Sequence, residues 1–413
     1  MQQSASTPDQ FTGYQKFVIA ILAFLQFTII LDFMIMSPLG AILMPALKIS
    51  PAQFGTVVSA YALSAAVSGF LAAGFADRYD RKKLLLFFYT GFVLGTLFCG
   101  LAPNYYFLLA ARIITGIFGG VIGSIVMAIA TDLFPFQMRG RVMGFLQTAF
   151  AASQILGIPA GLFFSNHWGW HSPFLMIVAV STFVGGVIAI YLKPVTSHLT
   201  TKSDKNAFHH LITTIQNTEY ILPFLTTGLL SLGGYMLMPF GSAYTVKNLG
   251  IHIESLPSIY LFTGLASIFI GPLVGKAADA FGKFKVFIFG SSVSAVMVVI
   301  YTNLGITPLY AVVIVNTVMF VGIFSRMIPS QALMSAIPTA ENRGAFMAVS
   351  ASLQQLAGGI ASLVAGLIVV ENANGILEHF DTLGYIMVGT TLVTTISMYI
   401  ISQRLNEFRN KTL

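Results

Sequence analysis

The sequence has very little charge for its length. Only 8% of its 413 residues are Asp, Glu, Lys or Arg, whereas soluble domains carry about a quarter. Hydrophobic residues make up 56% of the chain, so too few polar residues remain to cover a soluble surface. The one cysteine, Cys99, lies inside an apolar run, which excludes a disulfide-based secreted scaffold. The composition therefore predicts a helical membrane protein and excludes a soluble enzyme and a disordered chain.

The apolar residues form twelve runs, each near the length of about 20 residues that crosses a bilayer as a helix. The longest polar interruption divides six runs from six. We therefore predict an all-α membrane protein with an N-terminal six-helix bundle over residues 1–192, a cytoplasmic linker over 193–219, and a C-terminal six-helix bundle over 220–413. The first run is long and opens a series, so we expect no cleavable signal peptide.

The basic residues predict the orientation. With the N-terminus in the cytoplasm, all but four of the 21 lysines and arginines fall in predicted cytoplasmic segments. Lys48 and Lys247 fall outside, and Arg112 and Arg326 fall within spans. This asymmetry is the positive-inside pattern. It predicts that both termini are cytoplasmic, and it explains the net charge of +7 without nucleic acid, which would need a clustered basic face.

Residues that would carry catalysis or hold a metal are missing from the expected places. In the linker, His198, His209 and His210 have no Cys or acid at a ligand spacing. The segment GPLVGKAAD imitates a phosphate loop, but it has one residue too few before Gly-Lys, and Ala277 stands where a hydroxyl should bind magnesium. We therefore expect no enzyme activity, no metal and no cofactor, and we interpret the linker as solvated and weakly amphipathic.

An internal repeat supports the division into six and six. Three landmarks of the first half recur in the second at separations of 202, 206 and 204 residues. The pairs are Asp77 with Asp279, Gly116 with Gly322, and Arg139 with Arg343. Parallel repeats of this kind form an interface that places a substrate site near the bilayer midplane.

The loop between spans two and three reads AGFADRYDRKK, and its second copy, between spans eight and nine, reads GKAADAFGKFK. The chain resembles the twelve-span transporters of the major facilitator superfamily, whose signature at this loop is G-x-L-x-D-R-x-G-R-K. The second copy departs from it at Ala280, where arginine is expected. The resemblance implies the major facilitator fold and alternating access to a small-molecule substrate. Residues that match the signature include, in the first copy, Asp77, Arg78 and Arg81 and, in the second copy, Gly275, Asp279 and Gly282.

These loop residues predict a cytoplasmic gate. A carboxylate at the inner end of one span can accept hydrogen bonds from a helix N-terminus in the opposite half, which makes Asp77 and Asp279 symmetric candidates. Asp132, at the inner end of span four, could pair with Arg78 or Arg81. The alternative is that all of them are ordinary positive-inside anchors.

Three ionisable residues remain within the spans, and such residues are functional candidates by default. Asp32 lies about 24 Å from the cytoplasmic end of span one, counted at the helical rise per residue. Arg112 lies near the outer end of span four, so both residues are expected in the outer half. The resemblance implies that spans one and four line the central cavity, and we therefore expect the two to meet there. Burial favours the neutral acid and a guanidinium favours the carboxylate, and a group under both influences can be switched. We therefore predict that Asp32 and Arg112 form a proton-coupling pair.

Both residues of this pair could instead have purely structural roles. Asp32 could cap the bend before Ser37-Pro38, and Arg112 could extend to the outer headgroups. The third ionisable residue, Arg326, lies on the inner side of the midplane in span ten, with no acid of the second half at its depth. It could meet an anionic substrate group, a helix carbonyl end or Asp32 across the cavity, or it could be structural.

Other candidates for the cavity lining are polar or adaptable side chains, which could equally join helices or face lipid. They are Gln26, Gln147, Tyr235, Met238, Asn316 and Gln331. Span five contains Gly157-Ile158-Pro159-Ala160-Gly161, which resembles the glycine-proline motif of antiporters in this superfamily, although Ile158 intervenes and one glycine is absent. Pro159 removes a helix hydrogen bond and the glycines allow close contact, so we expect a bend at Gly157, Pro159 and Gly161.

The first span, LDFMIMSPLGAILMPAL, resembles that of drug and sugar exporters. Together these resemblances lead to the prediction of a proton-coupled antiporter that exports small amphipathic compounds or drugs, with the proton as coupling ion. A proton-linked uptake symporter for a sugar or organic anion is the second hypothesis, and a binding-only sensor is the third. We expect a monomer in a lipid bilayer, the bacterial cytoplasmic membrane, with no nucleic-acid partner.

Overall fold

The computed structural model describes residues 11–72, 79–196, 199, 207–339 and 342–412, with backbone only for 136, 137, 140, 207–210 and 408–412. Twelve helices in the described part of the chain are long and apolar enough to cross a membrane. The expected all-α, twelve-span architecture is confirmed. Large apolar side chains on the outside of the bundle, such as Phe87, Phe183 and Ile190, are more than half exposed, as lipid-facing residues should be.

The N-terminal half contains spans 1 to 6. Four of them are single helices: Pro51–Ala72 (span 2), Arg81–Gly100 (span 3), Tyr105–Leu133 (span 4) and Ser172–Tyr191 (span 6). The other two are interrupted. Span 1 consists of helix Gly13–Ile35, a turn and helix Gly40–Leu47. Span 5 consists of helix Phe136–Ala152, a π-helical turn Ser153–Gly157 and helix Ile158–Trp168.

The C-terminal half contains spans 7 to 12. Span 7 is again interrupted, with helices Thr218–Leu237 and Gly241–Lys247 on either side of the 3-10 turn Met238–Phe240. The others are Leu256–Phe281 (span 8, after the 3-10 turn Ile253–Ser255), Lys283–Thr302 (span 9), Leu309–Met334 (span 10), Arg343–Ile368 (span 11) and Phe380–Thr412 (span 12). An outer hairpin pairs strands Val370–Glu371 and Leu377–Glu378 antiparallel before span 12.

A proline accompanies each interruption. Pro38 lies in the turn of span 1, Pro239 in the 3-10 turn of span 7, and Pro159 directly after the π-helical turn of span 5. Proline has no N–H to donate and its ring crowds the preceding turn, so a helix breaks or bends there. Pro38 and Pro239 occupy corresponding places in the two halves, which extends the internal repeat to a feature of the backbone.

The helix starts follow the local sequence. Thr12 and Gln15 form a capping box at the start of span 1, and Asn104 and Asn217 cap spans 4 and 7 with their side chains. Asp80 caps span 3, and its Oδ1 accepts hydrogen bonds from the backbone N–H groups of Lys82 and, at 3.1 Å, of Val195. The start of the linker segment is thereby fixed to the inner end of span 3.

The expected linker contains a helix, Ala207–Gln216. Its Leu211 side chain is buried in a cluster with Tyr220, Phe346 and Met398 from spans 7, 11 and 12. This differs from a fully solvated linker. The reason is the spacing of Leu211 and Thr214, both buried, which places them on one face of a helix that can pack against the inner end of the C-terminal half.

The hydrophobic core is shared in the outer half of the bundle and divided in the inner half. On the outer side one buried cluster combines Ile35 and Phe54 of the first half with Phe240 and Ala365 of the second. On the inner side the buried clusters each draw on one half alone. Among the described residues, buried apolar packing therefore joins the two halves on the outer side only, which is the pattern of an inward-facing arrangement.

Glycines form the outer closure between spans 2 and 11. A Cβ added to Gly55 would lie 2.7 Å from the carbonyl oxygen of Ser362, and one added to Gly366 would lie 2.9 Å from the carbonyl oxygen of Pro51. Real Cβ atoms do not approach backbone this closely, so the two helices touch backbone to backbone. Small residues allow this kind of crossing between helices in a membrane.

The interrupted spans 1 and 7 also meet at the outer closure. The Ser37 hydroxyl donates to the carbonyl oxygen of Met238, and the Ser242 hydroxyl donates to the carbonyl oxygen of Ser37 at 2.8 Å. The Phe54 and Phe240 rings pack edge to face, with centroids 5.8 Å apart. The Ser37 carbonyl oxygen also accepts a hydrogen bond from the Gly40 backbone N–H at 3.0 Å. A carbonyl oxygen has two lone pairs, so a hydroxyl of the opposite half can use the second.

Candidate functional site

The structure brings Asp32 of span 1 and Arg112 of span 4 into direct contact. The Arg112 Nη1 donates to Asp32 Oδ2 at 2.7 Å, and neither side chain has any exposed surface. The second carboxylate oxygen of Asp32 accepts a hydrogen bond from the Thr96 hydroxyl of span 3 at 3.1 Å. The Asp32 carboxylate thus joins three spans of the N-terminal half, and the site is fully buried.

The arginine of this pair is not fully satisfied by hydrogen bonds. Arg112 Nε and Nη2 have no partner among the described residues. The aromatic ring of Tyr61, from span 2, lies over the guanidinium, with 4.5 Å between Cζ and the ring centre. A cation over an aromatic face gains electrostatic energy, more so without water. Four spans therefore contribute to the site. The Tyr61 ring stabilises the positive charge of Arg112 where hydrogen bonds do not.

Glycines in span 4 bring Tyr61 close to the pair. A Cβ added to Gly116 would lie 2.4 Å from the Tyr61 carbonyl oxygen, and one added to Gly119 would lie 2.6 Å from its hydroxyl. Gly116 follows Arg112 by one helical turn, so the same face of span 4 carries the arginine and the space for the tyrosine. A larger residue at Gly116 would separate spans 2 and 4 and remove the ring from the cation.

The π-helical turn of span 5 and the helix that follows it pack beside the pair. A Cβ added to Gly157 would lie 2.6 Å from Leu31 Cδ1, and one added to Gly161 would lie 2.6 Å from Ile35 Cδ1. These two residues of span 1 lie on either side of Asp32 in sequence. The π-helical turn ends at Gly157, and Pro159 follows within the first turn of the next helix. The structure thus places Gly157, Pro159 and Gly161 at and just after a π-helical turn, and Gly157 and Gly161 lie against the helix that carries Asp32.

The other cavity candidates lie in different surroundings. Gln26 is half-buried on span 1, and Gln147 and Gln331 are exposed on the inner parts of spans 5 and 10. The Tyr235 ring packs against Phe33 of span 1, with centroids 5.8 Å apart. Asn316 donates to the Val312 carbonyl oxygen of its own helix at 2.9 Å, and the Met238 carbonyl oxygen accepts from Ser37 in the outer closure.

Arg326 lies in the interior of the C-terminal half. Its Nη2 donates to the Thr394 hydroxyl of span 12 at 3.4 Å, and its Nε has no partner among the described residues. Only 6% of the residue is exposed, and a Cβ on Gly290 of span 9 would touch its backbone nitrogen at 2.8 Å. In this state the guanidinium contacts span 12 and does not meet Asp32, which pairs with Arg112.

A substitution at Arg326 distinguishes the structural role from the functional ones. A buried cation without a carboxylate is costly, so we expect Arg326→Met to fold and to melt at the same or a higher temperature in detergent, with transport retained. Arg112→Met is the matched comparison and should lower the melting temperature, because it leaves the Asp32 carboxylate unpaired. If Arg326→Met stays folded but loses substrate binding, a contact with an anionic substrate group is supported instead.

The predicted cytoplasmic gate is only partly within the described residues. Asp77 and Arg78 lie outside them. Arg81 Nε and Asp132 Oδ2 are 3.3 Å apart, so the inner ends of spans 3 and 4 are joined by an ion pair within one half. The second copy of the loop is placed at the end of span 8. Gly275 is half-buried and Asp279 exposed in that helix, and Gly282 follows it with a φ of 98°.

Sequence reasoning missed several residues of this site. Tyr61 and Thr96 hold the charged pair, and Gly55 and Gly366 form the outer closure. Tyr61 is one of 15 tyrosines in the chain and Gly55 one of 38 glycines. Residue types this common in apolar runs carry no signal of their own, and only the pairing of helices in three dimensions distinguishes them. No group of His, Cys, Asp or Glu among the described residues could hold a metal ion.

The two-bundle architecture, with a buried charged pair next to the region where the halves pack together on the outer side, is that of a membrane transporter. Solved structures share the fold. A bacterial homologue of the human lysosomal transporter Spinster, in an inward-facing and unoccupied conformation, matches with a TM-score of 0.70 and 15% identity over 96% of this chain and 97% of that one. A mutant of the nucleoside transporter NupG matches with a TM-score of 0.72 and 13% identity over 94% and 99%.

The chain belongs to the Major Facilitator Superfamily, whose family model matches residues 22–362. The MFS-type transporter YceJ of Bacillus subtilis strain 168 is 27% identical over 64% of this chain and 67% of its own length. The multidrug resistance protein MdtG of Klebsiella pneumoniae strain 342 is 26% identical over 59% and 60%. Matches to the first relatives span about half to two thirds of their length. Membership of this family makes the protein a transporter and not an enzyme.

Proposed function

We propose that this transporter is a proton-coupled antiporter that exports small amphipathic compounds or drugs. The observation that carries the proposal is the contact between Asp32 and Arg112. Asp32 is the one carboxyl group with less than a tenth of its surface exposed among the described residues. A carboxyl group at this depth either keeps its cation or takes up a proton. A proton on Asp32 would release Arg112, and loss of the proton would restore the pair.

The proposed cycle uses the two arrangements of the halves. In the inward-facing state the pair is closed and substrate enters between the halves from the cytoplasm. When the outer side opens, Asp32 takes a proton from the more acidic exterior, and substrate leaves. Return to the inward-facing state brings the proton to the inside, where its release lets Arg112 close on the carboxylate again. Each turn then exchanges outgoing substrate for an incoming proton.

Export of amphipathic compounds is supported by the chemistry of the region around the pair and by the relatives. Phe33, Tyr61 and Tyr235 form a group of aromatic rings at the boundary between the halves, and aromatic side chains accept varied apolar ligands. A relative is described as a multidrug resistance protein. The glycine-proline segment of span 5, which resembles the antiporter motif and packs against the helix of Asp32, supports antiport as the mode. Since the relatives named above are bacterial, we place the protein in the bacterial cytoplasmic membrane.

Transport in inside-out membrane vesicles tests the proposal. We expect a panel of fluorescent amphipathic dyes, cationic, neutral and anionic, to include members that accumulate in the lumen when the lumen is acidified, because outward proton flow then drives uptake. Vesicles without the protein give the background. Accumulation driven by an alkaline lumen would indicate symport, and accumulation indifferent to the gradient would rule out proton coupling.

A further inference from the structure

Tyr61 covers the buried ion pair and belongs to a chain of rings that reaches the opposite half. Its ring lies over Arg112, and only 2% of the residue is exposed. The Phe33 ring centroid lies 5.4 Å from that of Tyr61, and the Tyr235 centroid lies 5.8 Å from that of Phe33. Tyr61 and Phe33 belong to the first half and Tyr235 to the second, so this aromatic chain crosses the boundary that opens and closes.

The far end of the aromatic chain is fixed by span 11. A Cβ added to Gly358 would lie 2.9 Å from the Tyr235 ring, so the ring rests directly on the glycine backbone. Span 11 is also the helix that closes against span 2 through Gly55 and Gly366. Opening of the outer side therefore has to move Tyr235 away from Phe33, because the two rings are carried by opposite halves.

The ring of Tyr61 holds Arg112 where hydrogen bonds do not. Only Nη1 of the guanidinium bonds to Asp32, while Nε and Nη2 lack hydrogen-bond partners by geometry among the described residues. The buried Cys99 thiol of span 3 also faces the pair. A desolvated guanidinium with free donors attracts water as soon as water can reach it. Tyr61 therefore supplies both an electrostatic contact to the cation and a physical cover for the pair.

We propose that Tyr61 is a positioning residue that controls the access of water to the Asp32–Arg112 pair, and that Phe33 and Tyr235 hold it closed only while the outer side is closed. This rests on the proton antiport proposed above, and it explains how protons are kept from crossing the membrane without an exchange for substrate. In the inward-facing state Asp32 first releases its proton to the inside, because a protonated Asp32 no longer holds Arg112 under the ring. Once the pair has re-formed, the closed ring keeps Arg112 on the carboxylate. Opening the outer side withdraws Tyr235, frees the ring and lets a proton reach Asp32 from outside.

Proton flux without substrate tests this role. The full-length protein in liposomes is exposed to a pH gradient, and an internal pH-sensitive dye reports the flux. We expect Tyr61→Leu to raise the flux about tenfold, which corresponds to about 1.4 kcal/mol and lies within the range of a desolvated cation–π contact. Tyr61→Phe keeps the ring and should keep the low flux. Tyr235→Leu breaks the same chain from the other half and should leak like Tyr61→Leu.

Tyr89→Leu is the matched control, because Tyr89 is an equally buried tyrosine of the same half that bonds to Thr28 and does not contact the ion pair. It should keep the low flux. The leak must also pass through Asp32, so combining Asp32→Asn with Tyr61→Leu should return the flux to the wild-type level. A leak that survives in the double variant overturns the proposal, as does a wild-type flux in Tyr235→Leu.

The outcomes separate this role from the antiport itself. If pH-driven dye accumulation requires Asp32 but Tyr61→Leu and Tyr235→Leu remain tight, antiport stands and the role of Tyr61 is rejected. If Asp32→Asn leaves pH-driven accumulation intact, the proposed function fails first. Tyr235→Leu keeps the test decisive where Tyr61→Leu does not fold, since Tyr235 lies outside the ion pair.

Discussion

Asp32→Asn should abolish pH-driven accumulation of dye in inside-out vesicles. The asparagine can still accept the hydrogen bond from Thr96, but it cannot carry a proton between the two sides. It also leaves Arg112 buried without its counter-charge, which costs about 3–5 kcal/mol in comparable cases. The same variant should therefore melt well below the wild type in detergent, and a loss of transport alone would not prove a loss of coupling.

A double variant separates the two effects. Asp32→Asn combined with Arg112→Gln removes both charges, so most of the lost stability should return while pH-driven accumulation stays at background. Asp381→Asn, at the outer start of span 12, is the matched control and should behave as the wild type in both assays. Accumulation that keeps its wild-type rate and pH profile in Asp32→Asn vesicles would reject proton coupling through this residue.

Gly55→Leu should shift the transporter towards its outward-open state. Even a Cβ at this position would lie 2.7 Å from the Ser362 carbonyl oxygen and 3.0 Å from Gly366 Cα, and these are backbone atoms that cannot rotate away. Overpacking of this kind costs about 1–3 kcal/mol. Because only the outer-closed state contains the contact, that energy should move the equilibrium about 5- to 150-fold.

The shift can be measured as a distance between spin labels on the two halves. Lys48→Cys and Asn374→Cys place labels at exposed outer positions, and the native Cys99 is fully buried and should not react. We expect Gly55→Leu to lengthen the distance distribution. Gly186→Leu is the control, because a Cβ there meets nothing within 4 Å. An unchanged distribution in Gly55→Leu would mean that the glycine crossing does not hold the outer side closed.

Much of the fold can be predicted from the sequence because it depends on the order of residue types along the chain. Apolar run length predicts the spans and basic residues predict their orientation. Asp32 and Arg112 stand out because charge inside a span is rare. Their depths place both in the outer half, and the family resemblance, which implies that spans 1 and 4 line the cavity, predicts that they meet. Pro159 likewise marks the part of span 5 where the helix is interrupted by a π-helical turn, since a proline has a local effect on the helix.

The remainder of the site depends on which helix faces meet. Nothing in the sequence distinguishes Tyr61 from other tyrosines, and its contact with Arg112 arises because Gly116 and Gly119 let span 2 approach span 4. Arg326 is a residue that the sequence singles out but whose contacts it does not predict. Its charge and depth are predictable, but its contact with Thr394 follows from the rotation of span 10 about its axis, and apolar residues on most sides of a membrane helix leave that rotation undetermined.

The backbone contact between spans 2 and 11 has a consequence for how fast the transporter can turn over. At Gly55 and Gly366 the helices touch without hydrogen bonds or charges between them, so separating them there breaks only dispersion contacts, each worth about 0.1–0.2 kcal/mol per atom pair. Such a contact weakens gradually as the helices part and re-forms without having to expel tightly held water. The free energy of this contact scales with the contact area. Adding a single methyl group to either helix should therefore change the equilibrium between the outer-closed and outer-open states by a small step.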